Sequence, residues 1–282
     1  MTQTFSRTSA RAAVDRPVGG RSADTATSVG KALSILNAFL GAPQSVLGVS
    51  EIARRAGVAK STAHRLLLTL GSHGLVERVA DGWRTGPHLF RLGNTVPVCR
   101  PRNFRDQALP YMQDLFMSTM TMVNLAVPHE NQALIVEQQL THKDIRTPAF
   151  VGGCLPMYCT AIGKAMLAHL PGHVFDAVVA NGLRARTTRT VTDAESLAAE
   201  LDRVRRTGYA MDLQETKVGL ICVAAPILAG GKVIGALSLS LETGAVSEYH
   251  VKRLQQAAAS MSAALPDPLP EVELAHTAGR VA

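Results

Sequence analysis

The sequence predicts a mixed α/β chain of the α+β kind. A winged helix-turn-helix stands at the front, and a larger unit follows with a mainly antiparallel sheet flanked by helices. Three observations carry this. Residues 27–86 read helix, helix, tight turn, helix, hairpin. Two long strand-like runs near the C-terminus meet at Gly230-Gly231, a hairpin signal. The charge also changes sign along the chain: residues 27–93 hold eight Lys/Arg against three acids, and residues 106–282 hold 14 against 17.

The 282 residues suggest two domains, and 46% apolar content supplies a sizeable core. Residues 1–26 have no apolar period and read as a disordered tail. They lack the apolar stretch of a secretory signal. Apolar runs such as Ile221–Ala225 and Val233–Leu237 are too short to span a bilayer. The four Cys form no C-x-x-C pair, so a reducing, cytoplasmic location is expected. A basic front with a mildly acidic back suits a polyanionic partner for the front alone.

The first helix is placed at Thr27–Leu40 on the spacing of Val29, Ala32, Leu33, Leu36 and Phe39, with Gly41–Pro43 as the stop. Leu47–Val49 reads as a short extended piece. Ser50 is taken as the N-cap of a second helix, Glu51–Ala56, ended by Gly57. The third helix, Lys60–Ser72, turns Ala63, Leu66, Leu67 and Leu70 to the core. Lys60, Ser61, Thr62, Arg65 and Thr69 fall on the other side, where short hydroxyls and an Arg suit phosphates and base edges. An ordinary amphipathic surface helix shows the same pattern. Leu75–Arg78 and Trp83–Thr85, around Asp81-Gly82, form the wing; Arg84 on it joins Ser50 and the third-helix residues as a candidate DNA contact, and Trp83 is read as a packing residue.

Residues 87–105 read as a linker, with Pro97 and Pro101 opposing a long helix. Residues 106–265 form the second domain. A helix is placed near Gln107–Met117 with Pro110 in its first turn. Strands follow at Met122–Val127 and Ala133–Gln138. Further helices are placed at Thr160–Leu170 and Asp193–Thr207, the latter capped by Thr192. Strands at Val218–Leu228 and Val233–Leu241, a helix at Val246–Leu265 and a tail over 266–282 complete the chain.

Several stretches together resemble the IclR family of bacterial regulators, over about Thr27 to Leu265. They are Ser28-Val-Gly-Lys-Ala-Leu33, Ser50-Glu-Ile-Ala53, Gly57 to Leu67, Gly152…Pro156…Thr160 to Ala168, Gly208-Tyr209, Asp212…Glu215…Gly219, and Cys222 to Pro226. The resemblance implies a winged-helix DNA reader, a GAF-like effector domain, and assembly as homodimers or dimers of dimers on double-stranded operator DNA. Around Pro97 and Cys99–Pro101 the chain departs from the family's smoother linker helix.

The effector candidates are Gly152, Leu155, Met157, Thr160, Ala161, Asp212, Ile221, Cys222, Ser238 and Ser240. The amides opening the helix at Thr160-Ala161 suit a small organic acid, although Thr160 serves equally as a plain N-cap. Asp212, Cys222, Ser238 and Ser240 are small polar groups in or beside apolar strands, and such groups need partners when buried. Ser238 and Ser240 share a face by the period of two. A strict two-residue turn at Gly230-Gly231 puts Cys222 on the other face, and a one-residue bulge returns it to the serines. Asp212 would repel a carboxylate and is read as accepting from a ligand hydroxyl, a backbone N–H or Thr160. No metal or cofactor is expected; Cys154 and Cys159 are read as free thiols despite His129 and His173. A hydrolase using Cys222, or an architectural DNA-binding protein without a ligand, are the alternatives. No G-x-S-x-G, G-x-G-x-x-G, P-loop or H-E-x-x-H sequence favours an enzyme.

Overall fold

The computed structural model describes residues 27–42, 44–96, 104–141, 147–242, 244 and 246–265. The tails, Pro43 and the segment with Pro97 and Cys99–Pro101 lie outside the described residues. Two units divide after Val96.

In the first unit, α1 (Ser28–Asn37) starts at Thr27, whose hydroxyl accepts from the Gly30 amide at 3.0 Å. Its buried edge is Ile35 with Ala32, Leu36 and Phe39 against it. Val29 and Leu33, placed on that stripe by spacing, are 70% and 50% exposed. The helix α2 (Val49–Ala56) is capped by Gly48, so Ser50 is no N-cap and sits exposed in the first turn. The reason is long-range. Leu47 exchanges two backbone hydrogen bonds with Trp83, both 2.9 Å, and this fixes where the chain turns into α2. Gly57 closes α2 at φ 67°, a left-handed conformation that favours glycine.

The helix α3 (Lys60–Ser72) buries Ala63, Leu67 and Leu70. Strands β1 (Val76–Val79) and β2 (Gly82–Thr85) pair antiparallel with Val79 opposite Gly82, so the turn is Ala80-Asp81 and Gly82 belongs to the strand. Trp83 is buried in this unit's core, as a packing residue. A short helix, α4 (Pro87–Gly93), follows within the expected linker.

The second unit contains α5 (Phe104–Thr119), β3 (Met122–His129), β4 (Gln132–Gln139), β5 (Cys154–Pro156), α6 (Ala161–Leu167), α7 (Gly172–Ala180), α8 (Ala194–Thr207), β6 (Ala210–Leu213), β7 (Leu220–Ala229), β8 (Lys232–Glu242) and α9 (Glu248–Ala264). The six strands lie in the order β5-β4-β3-β8-β7-β6, every neighbour antiparallel. One face carries α6, α7 and α8; the other carries α5 and α9. The GAF-like expectation of an antiparallel sheet flanked by helices holds.

Local expectations fail in three places. Because α5 begins at Phe104, Pro110 stands beyond its first turn, on its exposed side. The helix expected to run to Leu170 ends at Leu167, and Pro171-Gly172 opens another, α7. Asp193, not Thr192, caps α8, accepting from the Ser196 amide at 2.8 Å. No helix among the described residues is long and apolar enough to cross a membrane.

Candidate functional sites

On α3, Lys60, Ser61 and Arg65 are exposed and Thr62 is partly so. Ala59 caps the helix without a side-chain hydrogen bond, and a helix's first amides have no partner within the helix. Ser50 is exposed on α2. Arg84 projects from the wing but is engaged with Glu77 at 2.8–2.9 Å. Sequence reasoning overlooked His64, also exposed on α3.

In the second unit, two irregularities gather polar groups on the α6 side of the sheet. The register shifts between Ile227 and Leu228, and the bulge sets Cys222 opposite Ser240. Asn124 lies opposite Ser238 on β8 and Gln138 on β4. A polar row therefore runs across the sheet floor: Gln138, Asn124, Ser238 and Ser240, then Cys222 and Asp212.

All of these but Gln138 line a cavity, whose expected residues are Leu155, Thr160, Ala161, Asp212, Cys222, Ser238 and Ser240. Three expected residues are absent from its lining. Ile221 alternates onto the opposite face, across from Leu241, which belongs to the α5/α9 core. Met157 is fully buried in the core beneath α6. Gly152 is exposed in a turn at φ 83°. The lining residues missed from sequence include Asn124, Ile135, Ala149, Ile162, Thr216 and Leu220. Asn124 had a signal: it is the one polar residue in the apolar run 122–127.

Thr160 caps α6, accepting from the Gly163 amide at 3.1 Å and donating to the Pro156 carbonyl at 2.6 Å. Gly163 is required there by space. A Cβ would lie 2.4 Å from Met157 Cα, so only glycine lets the helix start this close to the preceding chain. About 20 Å³ of the cavity is open to water, room for a single molecule by the ~10–15 Å³ criterion. A larger occupant requires the wall to move, and the wall includes Thr147–Ala149.

Beside the cavity lies a buried charge cluster. Lys164 Nζ, inside α6, donates to Glu215 Oε1 at 2.5 Å and to Glu200 Oε2 at 2.7 Å. Burial pushes the Glu215 carboxyl up from 4.5 to about 7, against the opposing pull of Lys164. Asp212 Oδ1 accepts from the amides of Glu215 at 2.7 Å and Thr216 at 3.3 Å, which is the backbone partnership expected of it. Burial raises its carboxyl above the ordinary value, opposed by Thr216, those amides and Lys164. Burial also pushes the Cys222 thiol up to about 12, aided by Asp212. Among the described residues no three His, Cys, Asp or Glu side chains are placed to hold a metal.

A helix-turn-helix with a wing, followed by an α/β unit, is the architecture of a DNA-binding regulator. Residues 28–80 match the IclR helix-turn-helix domain, and residues 98–265 match the bacterial transcriptional regulator IclR C-terminal family. The chain belongs to the IclR family. It is 35% identical over 222 residues to the glycerol operon regulatory protein of Streptomyces coelicolor, covering 78% of this chain and 85% of that protein. It is 32% identical over 231 residues to the HTH-type transcriptional regulator BhcR of Paracoccus denitrificans, covering 80% and 81%. Its fold matches an IclR homologue from Microbacterium hydrocarbonoxydans crystallised with 4-hydroxybenzoate. That match has a TM-score of 0.75 and 29% identity, over 84% of this chain and 98% of the other.

Proposed function

We propose that this chain is a transcriptional regulator that binds operator DNA as a homodimer and whose DNA affinity is set by a small organic acid in the C-terminal cavity. The observation that carries the effector half is the polar row Asn124–Ser238–Ser240–Cys222, enclosed by apolar walls under the first turn of α6. Buried polar side chains of this kind orient a ligand, while Leu155, Ile135 and Leu220 supply apolar contact. Asp212 suits a ligand hydroxyl at its end of the row. The 4-hydroxybenzoate held by the Microbacterium relative supports an acid of this size.

Lys60, Ser61, Thr62 and Arg65 carry the DNA half, with phosphates taken by Ser50 and the uncapped start of α3. One recognition helix offers few base contacts, so two copies on a pseudo-palindromic site are needed for specificity. A groove in the first unit, formed by Leu36, Phe39 and Leu89 with exposed Leu33, Leu40 and Phe90, supports contact with a second copy. Catalysis has no place in this reading. The named relatives are regulators, and a thiol at about 12 is not a nucleophile at neutral pH.

The test is reciprocity. Operator DNA must shift the dissociation constant of 4-hydroxybenzoate, or of another small acid that binds, by the factor by which that acid shifts DNA binding. If calorimetry gives a Ser238→Ala/Ser240→Ala variant the same affinity as wild type, the acid binds elsewhere.

A further inference from the structure

The hydrogen-bond directions on the sheet floor follow from one fixed point. The Ala149 carbonyl can only accept, so the end of the Gln138 side chain 3.3 Å from it is Nε2. The same nitrogen lies 2.7 Å from the Asn124 side chain, which must accept there and so presents Oδ1. Asn124 Nδ2 is thereby turned to the serines, 3.2 Å from Ser238 Oγ and 3.2 Å from Ser240 Oγ. It has two hydrogens, one for each. Both serine oxygens act as acceptors toward Asn124, and each keeps its own hydrogen.

Among the described residues the Ser238 side chain has no other hydrogen-bond partner, so its hydroxyl hydrogen is available to the cavity it lines. Ser240 Oγ lies 3.4 Å from Cys222 Sγ. Either atom can donate in this contact; burial keeps the thiol as S–H, and where it donates, the second lone pair of Ser240 is filled and the hydroxyl hydrogen of Ser240 is left for the cavity.

We propose that Asn124 and Gln138 are positioning residues that fix Ser238 and Ser240 as hydrogen-bond donors into the cavity, selecting a ligand that presents acceptor oxygens. The inference rests on the effector reading above and deepens it. Asp212 is the only charged residue lining the cavity among the described residues, so discrimination for a carboxylate comes from oriented hydroxyls and not from a cation. Gln138 does not line the cavity and acts through Asn124. The bulge between β3 and β4 makes this possible. Ala126 pairs with Ile135 and Leu125 with Glu137, so Val136 is the extra residue and Gln138 falls on the Asn124 side.

Two variants at Gln138 separate the relay from simple structural support. In Gln138→Glu the carboxylate can only accept, so the Asn124 amide turns round, the serines donate to its oxygen, and the cavity loses both donors. In Gln138→Met the amide is released without being reversed. Benzoate, 4-hydroxybenzoate, acetate and lactate are titrated calorimetrically into folded, full-length wild type and each variant. For the acids that bind wild type, Gln138→Glu weakens affinity about tenfold or more, while Gln138→Met stays within about threefold. A neutron structure of the ligand-free protein shows deuterium on Ser238 Oγ pointing away from Asn124. Equal losses in both variants, no loss in either, or serine deuterium directed at Asn124 overturns the relay and leaves the effector reading standing. Failure of every acid to bind wild type at millimolar concentration overturns both.

Discussion

Glu215→Gln tests the buried cluster beside the cavity. The Glu215 side chain is 5% exposed and Lys164 is 1% exposed, so solvent screening is small. The folded-state pKa of about 7 lies above the ordinary 4.5, chiefly through burial. Between those values the native chain holds a proton that the unfolded chain has released. The resulting stabilisation is complete below pH 4.5 and is lost as pH rises through 7, at up to about 1.4 kcal/mol per unit. Between pH 5 and pH 8 the loss comes to about 2.5 kcal/mol. Glutamine is neutral throughout and close in shape to the protonated acid. The advantage of the variant over wild type therefore grows by about 2.5 kcal/mol between pH 5 and pH 8. Both proteins carry the same histidines, whose titration cancels in the difference. Urea unfolding is followed by near-ultraviolet circular dichroism of the tyrosines, since Tyr111, Tyr158, Tyr209 and Tyr249 all lie in the second unit. Fluorescence of Trp83, the only tryptophan, reports the first unit separately. A stability difference that is equal at pH 5 and pH 8 refutes the assignment of this titration to Glu215.

Arg65→Ala weakens operator binding by roughly 1–3 kcal/mol if the guanidinium reads a base; a folded variant with unchanged mobility shift rules out the contact. Arg84→Ala changes the stability of the wing by about 0–1 kcal/mol, because its pair with Glu77 is exposed; a larger fall in the Trp83 melt would show the pair to be structural. Gly163→Ala drives a methyl into the backbone at Met157, at roughly 1–3 kcal/mol, and an unaltered tyrosine melt would contradict that packing. Light scattering is expected to show at least a homodimer, and a monomer both free and on operator DNA would defeat that assembly.

The first unit was legible because its signals are local. Helical spacing placed Ala63, Leu67 and Leu70 on one face of α3, and Gly57 marked a turn that needs positive φ. Its errors came from distant partners. Ser50 had the chemistry of a cap, but the pairing of Leu47 with Trp83, 36 positions away, moved the cap to Gly48. Val29 and Leu33 had the spacing of a buried stripe, while Ile35 took the core.

The cavity was legible only as far as strand alternation reaches. Ser238 and Ser240 follow from the period of two, and Cys222 joins them because β8 carries a one-residue bulge, with Ile234 as the extra residue, that brings Ser240 across from it. Asn124 meets the same criterion, a lone polar group in the apolar run 122–127. Gln138 is different in kind. At the end of an ordinary β-strand its face depends on whether Val136 is skipped in the pairing with β3, and nothing within residues 132–139 announces that. The cluster of Lys164 with Glu200 and Glu215 spans 36 and 51 positions and has no local pattern at all. Alternation thus reaches Ser238, Ser240 and Asn124, while Cys222 and Gln138 join their row only through the register shifts of β8 and β4.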